Sequence, residues 1–241
     1  PVSLSQSYND ESIENELDNR DPRLTQIVLD PRHSKEILYN KDQYIFPRVA
    51  GMTGWESATG YHVIKHYAAE QDQKGYGNET HDAPLFRYAE VLLTWAEAEN
   101  ELNGPSDEVY KKINKVRERA GMPDVDQAKY ATKEALRELI HRERAVEFAG
   151  EGLRRADILR WKTADGKMLA EKVLNGRLER RIGTVDASVS DPGLRATITL
   201  NPDPTEVLIE NRSFQPFHRY FPFSQGDIDK NPKLEQNEGY K

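Results

Sequence analysis

The chain has 241 residues, of which 37% are hydrophobic and 31% charged, and its formal net charge is −7 at pH 7. That acidic balance argues against a nucleic-acid partner, because phosphate binding needs a basic face. There is no cysteine, which excludes disulfides and thiolate metal sites, and no apolar run approaches the roughly 20 residues that cross a bilayer.

Residues 1–20 are polar, with a weak helical pattern around Ile13 and Leu17 and no apolar core of a signal peptide. The segment reads as a chain entered midway. A turn at Asp21-Pro22 follows, since Pro22 biases Asp21 away from helix, and then a short apolar stretch, Ile27-Val28-Leu29. Residues 30–83 are rich in Gly, Asp, Asn and Tyr and read as loop with short strands. Tyr61, Val63 and Lys65 alternate with His62, Ile64 and His66, the period of a strand.

Pro84 opens the clearest helical pattern. Leu85, Tyr88, Leu92, Trp95 and Leu102 recur at steps of three, four or seven, and Asn103-Gly104 ends the run. Ser106-Asp107 starts a second helix with Val109, Ile113, Val116 and Ala120 as its stripe, stopped by Gly121 and Pro123. So short a link predicts an antiparallel hairpin. Thr132 is the expected N-cap of a third helix carrying Leu136, Leu139, Ile140 and Phe148. Shorter helices are expected near 153–161 and 168–174. Beyond Arg177, RATITL (195–200) and EVLIE (206–210) are β-branched segments around an Asn-Pro-Asp-Pro turn, and a loose hairpin is expected. No firm boundary between two domains is visible, and no repeat of about 34 residues.

Glu143 and Glu147 lie four apart on one helical face, an arrangement that glycan hydrolysis by two carboxyls could use. Both have Arg neighbours at helical spacing, and ion pairing lowers carboxylate pKa values rather than raising one to a general-acid value. We therefore read Arg144, Glu147, Glu151, Arg154, Asp157 and Arg160 as a structural ion-pair network. His62 and His66 on a strand would stand about 13 Å apart, too far for one metal. No GxSxG, GxxxxGK[ST] or GxGxxG occurs. Trp55, in the Gly-rich stretch GMTGWESATGY, is the candidate platform for a sugar ring, with Tyr61 and Tyr76 behind it; flat aromatic faces match the flat C–H faces of pyranoses. Trp95 and Trp161, on helical stripes, read as core.

Six segments in order carry a family resemblance: DPRL (21–24), YHVIKHY (61–67), RYAEVLLTWAEAENELNG (87–104), INKVRERAGMP (113–123), RERAVEFAGEGLRRADILRW (142–161) and FPFSQGDIDKNPKLEQNEGY (221–240). Together they resemble the C-terminal half of SusD/RagB-like proteins. The chain departs from that pattern at Arg155 and Ala156, where large aromatics are usual, and at Ser224 and Glu238, where prolines are. The resemblance implies a mostly α fold with long loops and a few short strands, in which residues 1–241 are the C-terminal portion. The helical core would fall at about 84–175, with loops and strands at 20–83 and 177–241. The resemblance also implies that a tetratricopeptide-like N-terminal half is missing. It implies a non-catalytic protein that binds oligosaccharide or another nutrient and passes it to a SusC-like TonB-dependent β-barrel. It also implies an outer-membrane surface lipoprotein whose anchor is not in this chain, without cofactor or metal. A glycan hydrolase, or a helical interaction scaffold with no small ligand, are the alternatives.

Overall fold

The computed structural model describes residues 17–30, 58–59, 61, 63–65, 84–180, 182–186, 188–190, 196–199 and 202–240. In chain order its helices and strands are α1 (Arg23–Ile27), α2 (Tyr88–Asn103), α3 (Asp107–Arg119), α4 (Lys133–Glu147), α5 (Arg154–Arg160), α6 (Leu169–Val173), β1 (Gly176–Glu179), β2 (Gly183–Val185), β3 (Ala196–Ile198), α7 (Pro204–Val207), β4 (Leu208–Arg212) and α8 (Gln225–Lys230). The fold is mostly helical with a few short strands. The chain divides into two compact units, residues 1–151 with 180–203, and residues 152–179 with 204–241.

The first unit is organised by α2, α3 and α4. Ser106 and Thr132 cap the second and third of these: each hydroxyl accepts from the backbone N–H three residues on, at 3.3 and 3.2 Å. Helix α2 packs against both α3 and α4. The core between them is Leu93, Ala96, Val109, Ile113, Val116, Leu136 and Ile140, all essentially without solvent contact. Asn100 is buried among them and its amide Nδ2 donates to the Lys133 carbonyl at 3.0 Å, tying the end of α2 to the start of α4.

The stripe read from the sequence for α2 is not the one that faces inward. The buried face is Ala89, Leu92, Leu93, Ala96, Glu97 and Asn100, whereas Tyr88, Trp95 and Leu102 face out and Leu85 lies before the helix, exposed. Both faces of this helix carry apolar side chains, so periodicity alone cannot choose between them. Among the described residues around Val63, the strand reading is represented by one antiparallel bridge, Val28 to Val63, beside α1. In the same unit β2 pairs antiparallel with β3, Thr184 opposite Thr197.

In the second unit Ile158, Met168, Ala170 and Phe214 form a small core, with Trp161 also buried. The expected hairpin between 195–200 and 206–210 does not form: β4 pairs with β1, Arg177 opposite Asn211, and Pro204–Val207, from the end of the expected turn to the start of the expected second strand, winds into α7 instead. Asn175 joins this sheet to α6: its Oδ1 accepts from Phe214 N at 2.6 Å and its Nδ2 donates to Glu171 O at 2.8 Å. The C-terminal tail grips the aromatic segment 220–223. Gln236 exchanges two hydrogen bonds with the Phe223 backbone, both 2.9 Å; Asn237 Nδ2 donates to Phe221 O at 2.6 Å, and Tyr240 Oη to Tyr220 O at 3.0 Å. Ser224 caps α8 by accepting from Asp227 N at 3.2 Å, and its hydroxyl donates to the Asp227 carboxylate at 2.7 Å.

Candidate functional site

Helix α4 ends at Glu147, and buried charged side chains gather there. A helix C-terminus is the negative end of the backbone dipole and favours cations. Two arrive: Lys65 Nζ and Arg87 Nη2 donate to the Glu147 carbonyl at 2.6 and 2.8 Å. The Glu147 side chain, fully buried, accepts from three guanidiniums: Arg23 Nη1 at 2.9 Å, Arg87 Nη1 at 2.6 Å, and Arg119 Nη2 at 2.7 and 2.8 Å. One turn back, Glu143 is paired with Arg23 at 2.7 Å and Arg117 at 2.9 Å. Arg87 also holds Glu151 bidentately, two bonds of 2.8 Å, and Lys65 pairs with the same carboxylate. Arg23 in turn grips Asp21 through Nε and Nη2 at 2.9 and 2.6 Å. Such forked, charge-assisted contacts are the strong members of the hydrogen-bond class.

The electrostatics follow from this geometry. Burial pushes the Glu147 carboxyl up, but the hydrogen bonds from Arg23 and Arg87 and the charges of Arg87 and Arg119 outweigh it and hold the group below the ordinary glutamate range. Glu151 is lowered in the same way: burial opposes, and Arg87 and Lys65 prevail. Asp21 is lowered because Arg23 overcomes its burial. These carboxylates stay ionised at neutral pH, and none is arranged to hold a proton for an acid step.

Two recesses adjoin the cluster. One, of about 130 Å³, is lined by Arg23, Lys65, Arg87, Arg119 and Glu147. The other is a cleft of about 310 Å³ whose polar lining includes Arg117, Asp124, Asp126, Lys129, Tyr130 and Arg142. That volume sits at the lower end of the range for small-molecule sites, about 300–1,000 Å³. Its wall is pre-organised. Asn114 Oδ1 accepts from Val125 N at 2.9 Å, Asp126 Oδ1 from Ala128 N and Lys129 N at 3.1 Å each, and Tyr110 Oη donates to Tyr130 O at 2.9 Å. The lining offers an aromatic ring, carboxylates and cations, the groups that orient a polyhydroxylated ligand.

The charged string of the sequence separates into different arrangements. Glu147 and Glu151 share Arg87 in the first unit. Arg144, buried, turns instead to Thr94 Oγ1 at 3.0 Å and to Glu97 at 3.6 Å. In the second unit Asp157 pairs with Arg160 at 2.7 Å, and the Arg154 guanidinium lies 5.7 Å from the centre of the Trp161 ring. Tyr61 is half-buried, its backbone N–H 3.4 Å from Thr59 Oγ1. Trp55, Tyr76, His62 and His66 lie outside the described residues. Among the described residues no cluster of His, Asp and Glu is arranged to hold a metal ion, and no helix is long and apolar enough to cross a membrane.

Sequence reasoning missed the partners of Glu143, Glu147 and Glu151, which are Arg23, Lys65, Arg87, Arg117 and Arg119, and the Asp21 carboxylate that holds Arg23. The signal was present in another form. Five of the six segments of the resemblance, DPRL, YHVIKHY, RYAEVLL, INKVRERAG and RERAVEFAGEG, each supply a member of this one cluster.

Comparison with known proteins gives concordant results. A family model described as the SusD family matches residues 3–240. Two curated proteins of Formosa agariphila are similar: SusD-like protein P25, 40% identical over 101 residues, and SusD-like protein P2, 37% identical over 108. Each match covers 42% of this chain but 19% and 21% of those relatives, about a fifth of their length. A solved SusD-like protein from Bacteroides fragilis aligns over 93% of this chain and 40% of its own, with TM-score 0.66 and 24% identity.

Proposed function

Because the chain belongs to the SusD family, we propose that it is a non-catalytic binding protein for oligosaccharides or comparable nutrients. In this reading it works at the cell surface as an outer-membrane lipoprotein and hands its cargo to a SusC-like TonB-dependent β-barrel. The family match along nearly the whole sequence carries the reading. The state of the carboxylates supports it: hydrolysis by two carboxyls needs one held protonated as the general acid, whereas Glu147 and Glu151 are kept ionised by surrounding cations. Ligand recognition is assigned to Trp55, with Tyr61 and Tyr76, as stacking groups, and the polar cleft beside Tyr130 is a second place with suitable chemistry.

Titration calorimetry against a panel of neutral and acidic oligosaccharides tests this directly. Binding is expected, and Trp55→Ala should weaken it by about 1–3 kcal/mol, by analogy with the stacking of bases on aromatic rings. A reducing-end assay on the same mixtures should stay at background. Saccharide cleavage with turnover would overturn the proposal in favour of a hydrolase.

A further inference from the structure

The cleft beside Tyr130 carries a charge that the fold does not use. Four cations and four carboxylates line it. Half of them are spent on one another: Arg23 holds Asp21 at 2.6 Å and Glu143 at 2.7 Å, and Arg117 holds Glu143 at 2.9 Å. Asp126 is spent on backbone, its Oδ1 accepting from Ala128 N and Lys129 N at 3.1 Å each. Lys129 Nζ rests 5.4 Å from the centre of the Tyr130 ring. Arg142 is different. It is half-buried in the lining, and among the described residues it has neither an ion-pair nor a hydrogen-bond partner. Its neighbours on α4, Glu143 and Arg144, are buried and paired. A guanidinium held this way gives up part of its hydration and gains no counter-charge in return.

The helix puts it there by spacing. Leu139, Arg142, Glu143 and Val146 recur at helical steps and form the α4 side of the cleft. The loop between α3 and α4 supplies the rest, and it is pinned along its length. Arg117 Nε donates to Pro123 O at 2.7 Å, Met122 N to Arg117 O at 2.9 Å, and Tyr130 N to Asp126 O at 3.1 Å. These add to the bonds of Asn114 and Tyr110 to the same loop. A site fixed before its ligand arrives loses less freedom on binding. Tyr130, half-buried, offers a ring face, Met122 and Pro123 an apolar edge, and Asp124 an acceptor for hydroxyl groups. A neutral sugar can use all of these and still leave Arg142 without a counter-charge. A carboxylate on the ring supplies it, because its two oxygens accept parallel bonds from one guanidinium.

We infer that this cleft binds a carboxylate-bearing saccharide, a uronic acid residue, with Arg142 taking the carboxylate and Tyr130 against the ring. The inference rests on the saccharide-binding reading above and names the class of sugar and the residue that selects it. Titration calorimetry on the 241-residue chain uses trisaccharides of galacturonic, glucuronic and mannuronic acid. Each is paired with its methyl-esterified twin, which keeps ring and linkage and loses the charge. At least one acid should bind about tenfold or more tightly than its ester, the worth of hydrogen bonds between charged groups. Added salt should shrink that preference by screening. Arg142→Ala should bring acid and ester to equal affinity and abolish the salt dependence. The thermal melt should not change, since the described fold makes no bond through this side chain. Arg142→Lys keeps the charge without the fork and should restore part of the preference. Tyr130→Leu should weaken acid and ester alike. Equal binding of acids and esters to the native chain, an acid preference that survives Arg142→Ala, or affinities untouched by Tyr130→Leu would overturn the inference and leave the saccharide-binding reading standing. So would binding of neutral oligosaccharides with none of these probes bound. Silence toward every saccharide would overturn both.

Discussion

At the scale of single residues, Glu147 has the largest consequences. Its side chain is 1% exposed and faces Arg23, Arg87 and Arg119. Replacing it with Ala leaves buried guanidiniums without their counter-charge, and removal of one partner from such an arrangement costs about 3–5 kcal/mol. Glu147→Ala should therefore lower Tm sharply in calorimetry, while whatever protein remains folded keeps its affinity for saccharide. A variant of unchanged Tm that no longer binds would make Glu147 a ligand contact instead. Gly239 is constrained differently. It sits at φ +90°, and a Cβ there would lie 2.3 Å from the Phe217 ring. Phe217 and Tyr240 are stacked edge to face at 5.0 Å, so the ring has little freedom to retreat. Gly239→Ala should destabilise the second unit by about 1–3 kcal/mol, the usual cost of overpacking, read as early urea unfolding of the residues around Trp161.

At the scale of elements, legibility in the sequence followed the range of the interaction. Capped helices were readable because their determinants are local: Ser106 and Thr132 act on N–H groups three residues away. The inward face of α2 was not, because Leu92 and Trp95 are equally good apolar markers and only the packing of α3 and α4 selects Leu92. Strand partners were missed for a related reason. A turn signal at Pro202 and Pro204 implies a reversal of direction but not which strand waits on the other side, and β4 finds β1, some 30 residues earlier, through Asn175 and Phe214. For the charged cluster the sequence showed the carboxylates and concealed their partners: Arg23 and Glu147 are 124 positions apart. The proposal of Trp55 and Tyr76 as stacking residues rests on composition and loop context.

At the scale of the whole molecule, the buried carboxylates set the response to acid. Asp21, Glu147 and Glu151 have folded pKa values below their ordinary ones. A depressed carboxylate contributes stability above its unfolded pKa and loses it as pH falls through the folded value. Stability should thus hold flat from neutrality down to about pH 5 and fall steadily below about pH 4.5, the ordinary glutamate value. Urea midpoints measured from pH 7 to pH 3 would show it, and a midpoint that rises on acidification would contradict the ion-pair account. The order of residues along the chain adds one more point. Arg23, Lys65, Arg87 and Arg119 all precede Glu147, so a ribosome completes the cations before their shared anion exists. Vectorial synthesis therefore leaves the nascent N-terminal portion positively biased at these places and unable to lock. Emergence of the last turn of α4 supplies the anion that these cations share.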